Sequence, residues 1–168
     1  GGLARDAIFG QWKNIITRIK ILLHLQSDPY NSYGWMEKLH QYYHLHPVYF
    51  FLVGKHGSYD KNISPKKTAL QQLVKTVSGK YATGIHPSYQ SFLNKEKVQE
   101  EINILSSITG QTVFRSRQHY IKMQLPESYQ LLCEMNITED YSMGYAAYNG
   151  FRAGICTPFS WYDLSKET

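Results

Sequence analysis

Short apolar segments alternate with amphipathic helical stripes along this chain, and this alternation limits the folds open to it. The apolar segments begin near residues 48, 81, 112 and 137, so successive starts lie 33, 31 and 25 residues apart. A strand, a helix and the turns between them occupy about 30 residues. The spacing therefore predicts repeated strand–helix–strand units, with a parallel sheet and right-handed crossovers. The predicted fold class is α/β.

The first predicted strand, residues 48–53, is an unbroken apolar run of the kind that a parallel sheet buries on both faces. Further strands are predicted over residues 81–85 and 112–116, from residue 137, and over residues 151–156. Five strands are too few for a closed parallel barrel of the usual kind. The sheet is therefore expected to be open, or the chain to be a piece of a larger domain.

Five helices are predicted from apolar stripes at helical spacing. They cover residues 8–23, 32–43, 65–77, 94–110 and 126–135. The first helix is amphipathic and is expected to pack its stripe against another element. In the fourth, Asn94 is the predicted N-terminal cap and Gly110 the predicted end. All of these elements are expected to form one domain over residues 1–168.

Charge and hydropathy exclude several classes of protein. The net charge is +5, but the lysines and arginines are spread along the chain, so no nucleic-acid partner is expected. The N-terminal apolar stretch is interrupted by Arg18, Lys20 and His24, so no membrane span is expected, and no signal-peptide pattern precedes it. The chain is expected to be soluble, in the cytoplasm or associated with the cell envelope.

The chain has two cysteines, Cys133 and Cys156. They have neither C-x-x-C spacing nor the density of a disulfide framework. They are therefore interpreted as two buried free thiols in a reducing compartment.

Ionisable side chains follow four of the predicted strands, at the point where each strand ends. These ends carry Gly54-Lys55-His56, Gly84-Ile85-His86, Arg117-Gln118-His119 and Glu139-Asp140-Tyr141-Ser142. Parallel strands end at one edge of their sheet, and that edge is where α/β proteins place their chemistry. The sequence therefore predicts one site built from several strand ends.

His86 and His119 are the candidate metal ligands of this predicted site. The turn after His86 would hold its ring at a fixed orientation, although a lone histidine in that place more often packs under the next helix. Two imidazoles from neighbouring strands could share a divalent ion, and zinc would suit them with a carboxylate and an open water position. Asp140 could be that carboxylate, or it could cap a turn with Ser142.

Three arginines near the predicted strand ends are candidates for chemical roles. Arg117 and Arg115 lie on one face of an extended segment, where a permanent cation could orient a catalytic carboxylate or hold a developing oxyanion. One of the two could instead serve only in a surface ion pair. Arg152, between small residues and an aromatic, is expected to point inward toward carboxylates or to be structural.

Three further histidines are close together in the sequence. His40 and His44 are one helical turn apart, and His46 follows. Gln41 occupies the position at which an H-E-x-x-H zinc motif has its glutamate. The three are therefore interpreted as surface histidines.

Several of these strings together resemble a known family. They are Gly84-Ile85-His86-Pro87-Ser88-Tyr89, Arg117-Gln118-His119, Asp140-Tyr141-Ser142 and Gly150-Phe151-Arg152-Ala153-Gly154-Ile155-Cys156-Thr157-Pro158-Phe159. The set resembles the polysaccharide deacetylase-like proteins of Bacteroidetes-type bacteria, relatives of the NodB-homology enzymes of carbohydrate esterase family 4. The resemblance covers about residues 28–163. It implies an incomplete or distorted (β/α) barrel and a divalent metal, usually zinc, bound by one aspartate and two histidines.

The resemblance also implies roles for individual residues. His86 matches the first histidine of the family's H-[ST]-x-x-H motif, but Gln90 stands where the second is expected. His119 is our own candidate for the replacement ligand. Arg117, or alternatively Arg115, matches the arginine that orients the catalytic aspartate, and Asp140 falls near a later motif whose acidic and aromatic residues line the substrate groove. Arg117 and Asp140 are the predicted catalytic residues.

One motif of the family is not found in the chain. Its Asp-Asp pair supplies the general base and one metal ligand, whereas Asp6 lies within a predicted helix. The motif would precede Gly1, so the chain is expected to be a fragment that is inactive alone.

The resemblance predicts a metal-dependent polysaccharide deacetylase, which hydrolyses N- or O-acetyl groups on a polysaccharide or oligosaccharide. The residues expected to contact the sugar are Tyr89, Tyr141, Arg152 and Trp161. Two alternatives stay open. A non-catalytic carbohydrate-binding barrel is consistent with Gln90 and the many tyrosines. A metal-dependent phosphoesterase is favoured by the positive net charge and the paired histidines.

Overall fold

Four short parallel strands form the sheet on which the candidate site is built. The structure is a computed structural model and describes residues 2–167. The strands are β1 (Val48–Phe51), β2 (Ala82–Ile85), β3 (Arg115–Ser116) and β4 (Glu139–Asp140). They lie side by side in the order β1-β2-β3-β4, and each neighbouring pair is parallel. The prediction of an α/β protein with a parallel sheet is confirmed.

Six α-helices lie within the described residues. They are α1 (Gly2–Ile8), α2 (Trp12–Leu22), α3 (Tyr33–Tyr42), α4 (Thr68–Ser78), α5 (Lys95–Thr109) and α6 (Glu127–Glu134). The chain divides into two compact units, Gly1–Leu45 and His46–Thr168. The first holds α1 to α3, and the second holds the sheet with α4 to α6. Over residues 2–167, none of the helices has the length and apolar character needed to cross a membrane.

The N-terminal unit differs from its prediction in two ways. Two helices, α1 and α2, replace the single predicted helix, and the chain turns between them at Gly10, whose φ is +65°. Trp12, Ile16 and Ile19 of the apolar stripe are exposed, so the prediction that the stripe packs against another element is wrong. Periodicity shows which face of a helix is apolar, but it does not show that a partner covers that face.

Helix α5 forms where the sequence predicts it. The Asn94 side chain accepts a hydrogen bond from the backbone N–H of Lys97 at 2.9 Å, and Gly110 ends the helix with a φ of +69°. Both are local signals that an isolated stretch of sequence carries. The buried stripe of α5 joins residues of β2 and α4 in the hydrophobic core. The buried residues of this core are Val53, Val74, Ile85, Val98, Ile102, Leu105, Ile108, Val113, Tyr129, Leu132, Met135 and Ile137.

Three further predictions about the fold are wrong. Strand β1 is half-buried instead of buried on both faces, because it is the edge strand of the sheet. Residues 151–156 form no strand, and the described tail contains a single antiparallel bridge between Gly144 and Phe151. Cys133 and Cys156 are free thiols as expected, but both are exposed.

The register of the sheet places the residues after β2 and β3 next to each other. Ile85 lies opposite Ser116, so His86 and Arg117 leave the sheet together on the face opposite the core. Gly84, one pleat earlier on that face, lies under Phe50 and Arg115. A Cβ at Gly84 would come within 2.7 Å of the Phe50 ring and of the Arg115 carbonyl oxygen, so glycine permits the close approach of β2 and β3 beneath the site.

Candidate functional site

His86 and His119 lie in contact at the ends of β2 and β3. Nε2 of His86 is 2.9 Å from Nδ1 of His119, and the two rings are close to perpendicular, at 77°. We call these two residues the histidine pair. The strand-end argument brought both residues to one edge of the sheet, and the structure places them there.

The outer nitrogen of each ring faces oxygen atoms that only accept hydrogen bonds. Nδ1 of His86 is 2.5 Å from the carbonyl oxygen of Arg117, so Nδ1 carries the proton. Nε2 of His119 lies 3.2 Å from the carbonyl oxygen of Tyr59 and 3.7 Å from Oδ1 of Asp60, so it is the protonated nitrogen as well. In two neutral rings, lone pairs would therefore face each other across 2.9 Å. A proton or a metal ion between the rings would relieve this repulsion.

The environment of His86 favours its neutral form. Burial is the largest cause of the lowered pKa of this ring. The hydrogen bond to the Arg117 carbonyl opposes the shift, while the charges of His119 and Arg117 add to it. A neutral ring keeps a lone pair on Nε2, and this is the form in which histidine binds a metal.

Asp60 is the carboxylate nearest to the histidine pair. Its side chain is fully buried, and Oδ1 accepts the backbone N–H of Tyr89 at 2.8 Å. Among the described residues, Oδ2 has no hydrogen-bond partner. The loop that carries Asp60 is closed by Asn62, whose side-chain amide donates to the carbonyl of Gly54 at 2.7 Å. A buried carboxylate oxygen without a partner is costly, and it is typical of a site that takes a cation.

A second buried carboxylate, Glu101 of α5, holds the loop after β2. It accepts the backbone N–H of Ser88 at 2.9 Å and the Ser91 hydroxyl at 3.4 Å. A Cβ at Gly54 would lie 2.5 Å from Oε1 of Glu101, so a glycine leaves room for this side chain. Burial raises the pKa of Glu101. Glu101 and Asp60 thus bind two consecutive amides and fix the turn that orients His86.

Three tyrosines and a lysine lie beside the histidine pair. The rings of Tyr59 and Tyr89 stack with centroids 4.2 Å apart, and Tyr120 stands perpendicular to both. The Lys122 ammonium lies 4.0 Å from the centroid of the Tyr89 ring. We call Tyr59, Tyr89 and Tyr120 the tyrosine cluster. Tyr120 and the β-branched Ile121 both have positive φ, at 57° and 53°; such strained backbone is concentrated at functional sites.

Arg117 contributes to the site mainly through its backbone. Its carbonyl accepts from His86, while its guanidinium donates to the carbonyl of Tyr141 at 2.6 Å. Arg115 forms a two-point ion pair with Glu139, with the shorter distance at 2.7 Å. Of the two predicted roles for these arginines, Arg115 therefore takes the ion pair, and Arg117 ties the ends of β3 and β4 together.

Asp140 binds the turn after β4. Oδ1 accepts the backbone N–H of Ser142 and Oδ2 accepts its hydroxyl, both at 2.9 Å. Burial raises the pKa of Asp140, and burial together with this carboxylate raises the pKa of Tyr129 to about 12. Of the two predicted fates for Asp140, the structure shows the turn with Ser142. The carboxylate beside the histidine pair is Asp60.

The other predicted sugar contacts lie at or near a cavity between β4, α6 and the tail. The cavity has a volume of about 1010 Å³, and its lining includes Arg117, Asp140, Tyr141 and Trp161. The Trp161 ring packs edge-on against Tyr129 at 5.3 Å. Arg152 is exposed, so the expectation of an inward guanidinium is wrong.

No ready metal centre is present in the part of the chain that the structure describes: no three side chains of His, Cys, Asp or Glu are grouped to hold an ion. Of the three histidines interpreted as surface residues, His44 and His46 are exposed and His40 is half-buried. Gln90, at the position of the family's second histidine, is exposed, and its amide lies beside Gly57. His86 and His119 offer two nitrogen donors of the kind that zinc takes, whereas the nearby carboxylate of Asp60 lies 3.7 Å from the other nitrogen of His119.

Sequence reasoning missed Asp60 and selected His56 at the same strand end. His56 is exposed, whereas Asp60, four residues later, is fully buried. The available signal was the string Gly57-Ser58-Tyr59-Asp60-Lys61-Asn62, in which turn-forming residues and an asparagine surround one acidic residue. Glu101 was missed as well. It lies three residues after Val98 in an amphipathic helix, and polar residues of such a helix are normally solvated.

The structure thus shows an α/β protein in which two histidines are in contact at the ends of neighbouring parallel strands. No protein-family model, no curated protein and no solved structure matches the chain. The deacetylase relationship therefore stays a prediction from the motifs.

Proposed function

We propose that this protein is a metal-dependent hydrolase that removes acetyl groups from a polysaccharide or oligosaccharide. One observation carries the proposal: two imidazole nitrogens from neighbouring strand ends lie 2.9 Å apart, and the nearby buried carboxylate of Asp60 has one oxygen without a partner among the described residues. A divalent ion between the rings would satisfy both imidazole lone pairs, and Asp60 would have to turn toward it from the Nε2 side of His119, where its Oδ1 atom lies at 3.7 Å. The strand-end motifs that resemble the polysaccharide deacetylase-like family supply the reaction class.

In this proposal the ligands are Nε2 of His86, Nδ1 of His119 and the carboxylate of Asp60. Zinc suits two imidazoles and one carboxylate. The hydrogen bond from Nδ1 of His86 to a backbone carbonyl is the outer contact that metal-binding histidines usually make, because it fixes the tautomer and the ring orientation. A bound divalent metal would polarise the acetyl carbonyl and lower the pKa of a bound water.

The tyrosine cluster is the proposed surface for a sugar ring. Tyr59 and Tyr120 are more than half exposed, and both lie beside His119 or its hydrogen-bond partners. Aromatic faces with a polar edge suit carbohydrate, since the apolar face of a sugar stacks on the ring while hydroxyl groups remain hydrated. Tyr141 and Trp161, which line the 1010 Å³ cavity, are proposed to contact sugar units farther from the acetyl group.

The proposed architecture is an incomplete or distorted (β/α) barrel. Four parallel strands in sequential order, with helices between them, are the arrangement of four adjacent strands in such a barrel. In a barrel, the face that carries Phe50, Gly84 and Arg115 would point to the interior, and the histidine pair would lie at the C-terminal mouth. That mouth is where barrel enzymes place their active sites.

A second candidate function is non-catalytic carbohydrate binding. It is favoured by Arg117 and Asp140, because both predicted catalytic side chains are occupied by hydrogen bonds to Tyr141 and Ser142. In this case the tyrosine cluster would hold the sugar, and the histidine pair would share a proton instead of a metal ion.

Zinc titration by calorimetry separates these functions. Wild-type protein is expected to bind one zinc ion, and His86→Ala and His119→Ala are expected to abolish binding. His56→Ala is the matched control, since His56 follows a neighbouring strand but is exposed. Acetate release from an acetylated chito-oligosaccharide is not expected of this chain alone, because the family's Asp-Asp pair is not found in it. Zinc binding by this chain, with acetate release by a protein that also carries that pair, supports the hydrolase. Sugar binding without zinc or acetate selects the binding protein, and hydrolysis of a chromogenic phosphate ester alone selects the phosphoesterase.

A further inference from the structure

The N-terminal helices expose an apolar face that the proposed function does not use. Six side chains of α2 and the adjoining turns form it, each at least 44% exposed: Phe9, Trp12, Ile16, Ile19, Leu22 and Leu23. We call these six residues the α2 face. Large apolar side chains that are exposed together, in contrast to single ones, mark a surface that another molecule covers.

The spacing of the α2 face gives it a single direction. Trp12, Ile16, Ile19 and Leu23 follow one another at intervals of four, three and four residues, which is one stripe along an α-helix. Lys13 and Lys20 each come one residue after a member of this stripe, so they lie along its edge, and both are exposed. The ammonium groups of Lys13 and Lys20 therefore lie along the edge of the stripe, on side chains long enough to extend beyond its apolar residues.

The charge around the α2 face has one sign. Asp6 is the only acidic residue in the first 27. It is 2% exposed, and Nε of Arg18 binds its carboxylate at 2.6 Å. The charges left at the surface of α1 and α2 are therefore those of Arg5, Lys13 and Lys20, all basic and all exposed.

We propose that the α2 face docks on an anionic lipid surface, with α2 lying in the plane of the interface. An amphipathic helix with basic residues beside its apolar face and a tryptophan on that face is the pattern that binds such surfaces. The apolar side chains would enter the boundary between headgroups and acyl chains, and Lys13 and Lys20 would meet the phosphates. A second copy of the chain is a poorer occupant, because it would bring like charges together. The proposal is independent of the proposed hydrolase.

Co-sedimentation of the 168-residue chain with lipid vesicles tests the proposal. The probes are vesicles of phosphatidylcholine alone and of phosphatidylcholine mixed with phosphatidylglycerol. The charge variant is Lys13→Gln with Lys20→Gln, and its matched control is Lys66→Gln with Lys67→Gln, which removes the same charge from another exposed pair. The apolar variant is Ile16→Gln with Ile19→Gln, and its control is Ile63→Gln, at another exposed isoleucine. Glutamine keeps helix propensity, and circular dichroism checks that each variant is folded.

Wild-type protein is expected to bind the anionic vesicles and not the neutral ones. The charge variant should bind roughly thirtyfold more weakly at low salt, since each of the two basic residues near an anionic surface contributes roughly fivefold to sixfold. The apolar variant should lose about tenfold or more, while both controls stay close to wild type. Three results would overturn the proposal: no binding to anionic vesicles, equal loss in the lysine control, or light scattering in which the apolar variant turns a dimer into a monomer.

Discussion

Among the described residues of the site, Asp60 is fully buried and has a carboxylate oxygen without a hydrogen-bond partner. Its Oδ2 atom has no hydrogen-bond partner among those residues, and Nε2 of His119 lies 3.7 Å from its Oδ1 atom. Removing a carboxylate from water costs several kcal/mol unless partners compensate it. A fold keeps such a residue where chemistry requires it, at the expense of stability.

We expect Asp60→Asn to separate stability from metal binding. Asparagine keeps an oxygen that can accept the Tyr89 amide. The free energy of unfolding of the metal-free variant should therefore be within about 1 kcal/mol of the wild-type value, or higher than it. Zinc affinity should fall by about tenfold or more, because one charged ligand is lost. Urea unfolding and zinc calorimetry measure the two effects. Asp163→Asn is the control: Gln130 and Ser165 already satisfy that carboxylate, so stability should drop while zinc affinity stays the same.

Individual site residues were predictable where they follow directly from a strand end. His86 and His119 could be placed together because parallel strands finish at one edge, and that rule needs only the sequence. Asp60 could not, since its burial depends on the loop closure by Asn62 and on the amide of Tyr89, which is 29 residues away. Long-range contacts of this kind leave no periodic pattern of residues in the local sequence.

At the scale of elements, the loop after β2 depends on α5 for its shape. Glu101→Ala is expected to destabilise the protein by about 1–3 kcal/mol, because the buried Ser88 amide loses its acceptor. Glu101→Gln should cost less, since its carbonyl oxygen can accept the same bond. Urea unfolding of both variants gives the comparison. Equal losses in the two variants would mean that packing, and not the hydrogen bond, explains the effect.

The ionisation of Glu101 predicts a dependence of stability on pH. Burial raises its pKa in the folded protein above the ordinary value of 4.5, so the folded state binds the proton more tightly than the unfolded state. The resulting stability is fully present below pH 4.5 and is lost as the pH rises through the folded pKa. Wild type should therefore gain stability relative to Glu101→Gln between pH 7 and pH 4. An unchanged difference in urea midpoints across that range would contradict the buried carboxylate.

Elements with local start and stop signals were predictable, and those that depend on pairing were not. Helix α5 begins after Asn94 and ends before Gly110, as the sequence predicts. Strand β3 covers only Arg115–Ser116 of the predicted segment, because ladder pairing with β2 and β4 decides its length. The predicted fifth strand is missing because Gly150 and Gly154 adopt positive φ values that interrupt an extended segment.

At the scale of the whole molecule, the hydrophobic core belongs to one of the two compact units. Every member of the buried cluster lies between Val53 and Ile137, within the unit His46–Thr168. We expect a protein of residues 46–168 to fold cooperatively, since it contains the complete sheet and core. Its zinc affinity should stay within about twofold of the whole chain, because the histidine pair and Asp60 all belong to it. Circular dichroism and calorimetry test this, and a non-cooperative unfolding transition would contradict it.

The location of a bound metal tests the proposed site most directly. Crystals grown with zinc and measured at the zinc absorption edge should show one anomalous peak per chain. The peak is expected about 2.0–2.1 Å from Nε2 of His86 and from Nδ1 of His119, with the Asp60 carboxylate completing the protein ligands. Absence of a peak between the two rings, or a peak bound only by His40 and His44, would contradict the assignment.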